Sequence, residues 1–154
     1  MNFKGFRTAL AISACLLLTP AAAEEVYNVG LDGTFAPHAM PKLAGGVEGF
    51  NVDLAEALGK ELGATMNVTA AQWSGLLPGM QAGTYDFLVA PTTVTEERTK
   101  SILFSEGYLN TDFQFVVKAD AEDIDSLEGF KGKTIAVNKG SAYDKWARDL
   151  TDEV

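Results

Sequence analysis

The sequence predicts an α/β fold organised around a parallel sheet. Three β-rich runs, Val26–Leu31, Thr65–Ala71 and Tyr85–Ala90, are separated by two segments whose apolar residues follow helical spacing. The order strand, helix, strand, helix, strand implies parallel pairing through right-handed crossovers. In open sheets of this kind ligands bind beyond the carboxyl ends of the strands, so function is sought in the loops that follow them.

Each element rests on its own pattern. "VYNVGL" alternates and is β-rich, whereas the following "DGTFAPHAMPKLAGGVEG" is dense in Gly and Pro and reads as a loop. From Phe50 a helix is expected, with Phe50, Leu54, Ala57, Leu58 and Leu62 on one apolar face and Gly63 ending it. "TMNVTAA" is the second strand. "SGLLPGMQAG" is a short helix with Leu76, Leu77 and Met80 inward, and "YDFLVA" is the third strand. Beyond these, Asp112–Lys118 is expected to form a long strand. The composition then turns polar, "TIAVNKG" reads as a strand at Thr134–Val137, and Tyr143–Leu150 as a helix. This resembles the start of a second lobe whose helix carries Trp146 and Leu150 with nothing evident to cover them. The expected division is 1–23, 24–118 with an outgoing hinge strand, and 119–154 as an incomplete second lobe.

The first residues read as a secretory leader. Lys4 and Arg7 precede an apolar run from Ala9 to Leu18, and Ala21–Ala23 suits cleavage after Ala23. The run is roughly ten residues, short of the roughly 20 of a spanning helix. "ISAC" has small residues before Cys15, but the apolar run continues past it, which argues against lipid anchoring there. Cleavage would remove 23 of the 154 residues, leave 131, and take the single cysteine with it. It would also remove two positive charges, moving the formal charge from −9 to −11. That balance argues against nucleic acid and anionic membrane surfaces as partners.

Catalytic patterns are sparse. The one histidine, His38, lies in a loop, and no His, Cys and carboxylate cluster has metal-ligand spacing. Asp53 and Glu56 sit near a helix start, where negative charge is favoured in any case. The informative stretch is "APTTVTEERTK", Ala90–Lys100. Thr95 is placed to cap a helix, Thr93 offers a hydroxyl and an amide, and Arg98 carries a rigid fork suited to a carboxylate. Two readings stand on these residues alone: a small anion site, or a surface arginine paired with Glu96 or Glu97.

The ordered set "GTFAPH", "GFNVDLAEALGKELG", "WSGLLPGMQAGTYDFLVAPTTVTEERTKSILFSEGY" and "KGKTIAVNKGSAYD" resembles the bacterial extracellular solute-binding proteins, family 3, which feed polar amino acids to ABC transporters. The resemblance implies a periplasmic-binding-protein-like type II fold of two α/β lobes closing on a ligand, with no cofactor, metal or catalytic residue. It also implies a periplasmic location, a membrane permease as partner, and a monomer if the protein is full length. It assigns Arg98 to the ligand's α-carboxylate, Thr93 to its support, and the Ala90 carbonyl to the α-amino group. Phe35 and Trp73 would flank the ligand side chain, and Asp32 would reach its far end. From the second lobe, Ser141 and Ala142 would donate amides to the carboxylate, and Asn138 would read the side chain.

Each role has a plainer alternative, with Phe35 a loop anchor, Trp73 a core residue and Asp32 a turn residue beside Gly33. Pro91, which has no N–H, departs from the family pattern, and the second-lobe Asp that pairs with the ligand's ammonium is not found before Val154. Asp32 turns the expected ligand toward a polar or basic amino acid. The alternatives are a dehydratase of the same fold (cyclohexadienyl or arogenate), for which only Asp32 and His38 offer themselves as acid or base, or a ligand-sensing domain.

Overall fold

A computed structural model describes residues 24–151. The expected leader, with Cys15, lies outside the described residues. The elements in chain order are β1 (Glu25–Asp32), a two-residue pair β2 (Met40–Pro41) and β3 (Val47–Glu48), α1 (Phe50–Leu62), β4 (Ala64–Ala71), α2 (Trp73–Gln81), β5 (Phe87–Leu88) and α3 (Glu96–Thr99). After these come a 3-10 turn at Leu127–Phe130 and α4 (Ala142–Thr151).

The expected parallel sheet is present. β1 is its centre, with β4 on one side and β5 on the other. β1 pairs with β4 in parallel from Glu25 opposite Ala64 to Asp32 opposite Ala71, and with β5 at Val29 opposite Phe87. The central position explains the composition of β1. Val29 to Asp32 are all buried, because both faces of the strand are covered. Val29 packs with Ala55 of α1 and with Val89, and Tyr27, Leu54, Leu58, Met66, Val68 and Phe87 surround them. Burying a side chain such as Val29 or Leu31 contributes about 1.5–3 kcal/mol each. On α2, Leu76 is fully buried and Leu77 and Met80 half-buried, as their spacing predicts.

α1 ends where expected. Gly63 adopts φ 64°, a left-handed cap whose N–H returns to the Gly59 and Lys60 carbonyls. Its buried stripe is displaced from the predicted one. Asn51, Ala55 and Gly59 form its centre, while Phe50, Ala57 and Leu62 are exposed. The reason is close approach. A Cβ on Gly59 would lie 2.9 Å from the Ala64 carbonyl oxygen and 3.1 Å from Met66 Cγ, so small residues set the helix against β4. The loop after β1 also contains more order than expected, because β2 and β3 pair antiparallel around a turn closed by Lys42 and Gly46.

Two expected strands do not form. Neither Asp112–Lys118 nor Thr134–Val137 joins a ladder among the described residues. β-rich alternation supplies a preference, but a strand also needs a neighbouring backbone to pair with. The alternation of the first segment is used differently. Phe113 and Phe115 turn onto α4, where Phe115 lies 5.1 Å from the Trp146 ring and 4.8 Å from Phe130, and Phe113 lies 4.8 Å from Tyr143. Trp146 is therefore covered, and Leu150 is only 5% exposed. This corrects the expectation that α4 leaves both side chains bare.

The close approach at Gly59 gives a paired test. Alanine is preferred to glycine in a helix by about 1 kcal/mol. At Gly75 of α2 a Cβ meets nothing within 4 Å, so Gly75→Ala is expected to stabilise by roughly 0.5–1 kcal/mol in chemical denaturation. At Gly59 the obstacle is backbone, which cannot swing aside. Gly59→Ala is expected to lose about 1–2 kcal/mol net. A gain at Gly59 equal to that at Gly75 would contradict the packing of α1 on β4.

Candidate ligand-binding cleft

The three parallel strands deliver their following loops to one edge of the sheet. Asp32 ends β1, Gln72 and Trp73 follow β4, and Ala90 to Arg98 follow β5. Asp32 is 3% exposed, and its Oδ1 accepts hydrogen bonds from the Thr34 N–H (3.0 Å) and the Thr34 hydroxyl (2.7 Å). That is the geometry of a turn residue. Phe35 is half-buried with its ring 4.9 Å from His38. His38 also meets Phe50 edge-on, and its buried Nδ1 has no hydrogen-bond partner among the described residues. A general base is ordinarily oriented by a third group, and nothing described orients His38. The Ala90 carbonyl accepts from the Thr92 hydroxyl at 3.0 Å.

Arg98 is the best-defined side chain of the edge. Thr95 caps α3 as predicted, its hydroxyl accepting from the Arg98 N–H at 3.2 Å. This fixes where the arginine leaves the backbone. Its Nη1 donates to the Thr93 carbonyl at 2.8 Å and its Nη2 to the Gly140 carbonyl at 3.1 Å. The guanidinium carbon lies 5.5 Å from the centre of the Trp73 ring, a cation–π contact. No carboxylate bridges to Arg98 among the described residues, and Glu96 pairs instead with Lys100 at 3.6 Å. The simple surface ion pair is therefore not what forms. Burial pulls the guanidinium below its ordinary range, with Glu97 opposing. It remains a cation near neutrality.

The Gly140 carbonyl that Arg98 reaches belongs to the turn entering α4. Asn138 is exposed, and its carbonyl accepts from the Ser141 N–H at 3.0 Å. That amide is therefore engaged. The Ser141 hydroxyl accepts from the Asp144 N–H at 3.1 Å, while Asp144 Oδ2 accepts from the Gly140 N–H at 2.8 Å and Oδ1 from Arg148 Nε at 2.9 Å. The Ala142 N–H sits at the first helical position, where a helix has no internal acceptor for it. Asp144 was not singled out in the sequence, although Ser141-x-x-Asp144 is the spacing of a capping pair. Gly140 contributes through its backbone and has no side-chain signature.

A cleft of about 550 Å3 opens between α2, α3 and the start of α4. Of the predicted site residues, it brings together Trp73, Arg98, Ser141 and Ala142. Asp32, Phe35, Ala90, Thr93 and Asn138 do not line it, although Thr93 holds Arg98 from behind. Glu97 and Lys139 do line it. A second hollow of about 390 Å3 lies beside Gly63 and Ala64, at the other end of β4, and contains none of the predicted residues. No group of three or more potential metal ligands occurs among the described residues, and no described helix is long and apolar enough to cross a membrane.

Asp144 generates a pH prediction. The Gly140 N–H first, and Arg148 second, hold its carboxyl below the usual carboxylate range. An unfolded Asp titrates near about 3.9. The stabilisation is therefore fully present above that value and is lost as pH falls through the lower folded one. Asp144→Asn keeps the shape and removes the charge. The stability gap between wild type and variant, measured by chemical denaturation, is expected to be constant around neutrality and to close below about pH 4. A gap unchanged into strong acid would contradict the role of the charge.

Residues 27–153 match the bacterial extracellular solute-binding proteins, family 3. The chain is 32% identical over 139 residues to the L-arginine-binding protein of Pseudomonas aeruginosa, covering 90% of this chain and 53% of that one. It is 32% identical over 133 residues to the L-cystine-binding protein of Escherichia coli, covering 86% and 50%. Among solved structures, an ancestral arginine-binding protein bound to arginine superposes with a TM-score of 0.75 at 32% identity, over 84% of this chain and 57% of that one. An ancestral amino acid-binding protein, a precursor of cyclohexadienyl dehydratase, gives 0.75 at 30% identity, over 83% and 58%. The chain spans about half the length of the curated relatives it matches. These relatives are binding proteins rather than enzymes, and the α/β architecture with its parallel sheet is part of the type II binding-protein fold.

Proposed function

We propose a function for this chain from the fact that it belongs to the bacterial extracellular solute-binding proteins, family 3. It binds a small polar solute, an amino acid, outside the cytoplasm, in the periplasm, and delivers it to the membrane permease of an ABC transporter. Two lobes, 24–118 and the part beginning at 119, close on the ligand and shift the population toward the closed form. No chemistry is performed on the ligand.

One observation carries this reading. Arg98 is a fixed cation at the wall of the cleft, held by two carbonyls and an indole face, with no carboxylate bridged to it among the described residues. Carbonyl oxygens orient a guanidinium without neutralising it, so it remains receptive to an anion. The Gly140–Ala142 turn beside it adds the positive end of α4 and the Ala142 amide. A ligand α-carboxylate satisfies both at once, with Trp73 as the apolar wall. We assign Phe35, Ala90, Thr93 and Asn138 to the rim, reached as the lobes change angle. Asp32 is the weakest member of the set because Thr34 already engages its Oδ1 and it does not line the cleft.

Removing the fork leaves the ligand carboxylate unpaired in a partly desolvated site, a loss of about 2–5 kcal/mol. Arg98→Ala is therefore expected to weaken amino acid binding roughly 30-fold to several thousand-fold by calorimetry. Arg98→Lys, which keeps the charge and loses the fork, is expected to fall between it and wild type. A change below about threefold in Arg98→Ala would overturn the role.

A further inference from the structure

Asp144 is a buried carboxylate, 8% exposed, at the side of the cleft that Arg98 reaches. Both of its oxygens are engaged. Oδ2 accepts from the Gly140 N–H at 2.8 Å and Oδ1 from Arg148 Nε at 2.9 Å. Its own N–H donates to the Ser141 hydroxyl at 3.1 Å, which fixes the root of the side chain. A carboxylate so occupied has little left for a ligand, but it is a firm anchor for the backbone it holds. That backbone is Gly140, whose carbonyl accepts from Arg98 Nη2 at 3.1 Å. Asp144 and Arg98 therefore grip one residue, Asp144 at its N–H and Arg98 at its carbonyl.

We propose, resting on the reading of Arg98 as the α-carboxylate receptor, that Asp144 is the positioning residue of the site, fixing the Gly140 turn against which Arg98 is oriented. Gly140 needs such a restraint. The Ser141 N–H donates to the Asn138 carbonyl at 3.0 Å and closes a four-residue turn with Gly140 third, at φ 77°. No described residue other than glycine has a positive φ, so this is the pattern of a type II turn. In the commoner type I turn the third residue takes φ near about −90° and the central peptide is turned over. Glycine adopts either form at little cost, so its own chemistry does not choose. The Asp144 carboxylate does. It accepts the central N–H of the type II form, whereas the turned-over peptide would point the Lys139 carbonyl at it and two acceptors would be pushed apart. Asp144 thus acts on the ligand through Gly140 and Arg98, by pre-organising the guanidinium before a carboxylate arrives.

The test combines NMR and calorimetry on the protein in wild type, Asp144→Ala, Asp144→Asn and Gly140→Ala. Without ligand, the Nη protons of Arg98, assigned by their loss in Arg98→Lys, are expected to give separate signals in wild type, because two carbonyls hold them, and to average in Asp144→Ala. Asparagine keeps an oxygen for the Gly140 N–H and is expected to restore the separate signals. With L-arginine as the probe, affinity is expected to fall about tenfold in Asp144→Ala and to be rescued to within about threefold in Asp144→Asn. Gly140→Ala, where a Cβ meets nothing within 4 Å, disfavours the positive φ and leaves Asp144 in place. It is expected to shift signals and affinity in the same direction as Asp144→Ala, which keeps the test independent of whether that variant folds. Separate Arg98 signals kept in both Asp144→Ala and Gly140→Ala, or equal losses of affinity in Asp144→Ala and Asp144→Asn, would overturn the proposal. Binding of L-arginine unchanged by Arg98→Ala would overturn the carboxylate reading instead, while averaged signals in Asp144→Ala would still mark Asp144 as the residue that orients the guanidinium.

Discussion

A guanidinium held, among the described residues, by carbonyls and an aromatic face is the constraint on which the rest of this structure depends. Arg98 donates to Thr93 and to Gly140, residues separated from it by 5 and 42 positions. The near bond is local and follows from the single turn of α3 capped by Thr95. The far bond ties the loop after β5 to the turn that begins α4. One side chain therefore fixes the distance between the sheet edge and a helix start. A carboxylate in place of either carbonyl would have neutralised the arginine and removed its capacity to attract an anion. The scaffold keeps the cation oriented and unneutralised, which is what recognition of a small carboxylate demands.

The sheet places that cation by simple topology. β1 lies between β4 and β5, so the loops that follow all three strands emerge side by side. Trp73 arrives at the first position of α2, after β4, and Arg98 on α3, after β5, and the two meet at 5.5 Å. The core beneath is modest: Val29, Ala55 and Val89 are its buried centre, with α1 drawn in by small residues. The C-terminal part is organised differently. It has no ladder among the described residues, and Phe113, Phe115, Phe130 and Trp146 pack as an aromatic cluster against α4. That cluster steadies the helix whose first turn faces Arg98.

Local features were legible in the sequence, and long-range ones were not. The βαβαβ order, the Gly63 stop, the Thr95 cap and the α4 span all follow from patterns within a few residues. The strands expected at 112–118 and 134–137 failed because pairing depends on a neighbour that a local pattern cannot supply. The buried face of α1 was misplaced because apolar spacing favours Leu54, Leu58 and Leu62, whereas the approach to β4 is set by Ala55 and Gly59, which carry little hydrophobic signal. Asp32 reads alike as a ligand contact or a turn residue until Thr34 is seen to occupy its oxygen. Arg98 was found by its context, but Gly140 across from it was invisible, since only its backbone takes part.

The central claim is that Arg98 awaits a carboxylate, and substrate chemistry tests it without altering the protein. An L-amino acid that binds and its own α-carboxamide differ only at the group Arg98 would hold. The account predicts that the carboxamide binds at least about 30-fold more weakly in side-by-side calorimetry. Equal affinity for the two would show that the guanidinium is not the carboxylate receptor and would contradict the account at its base.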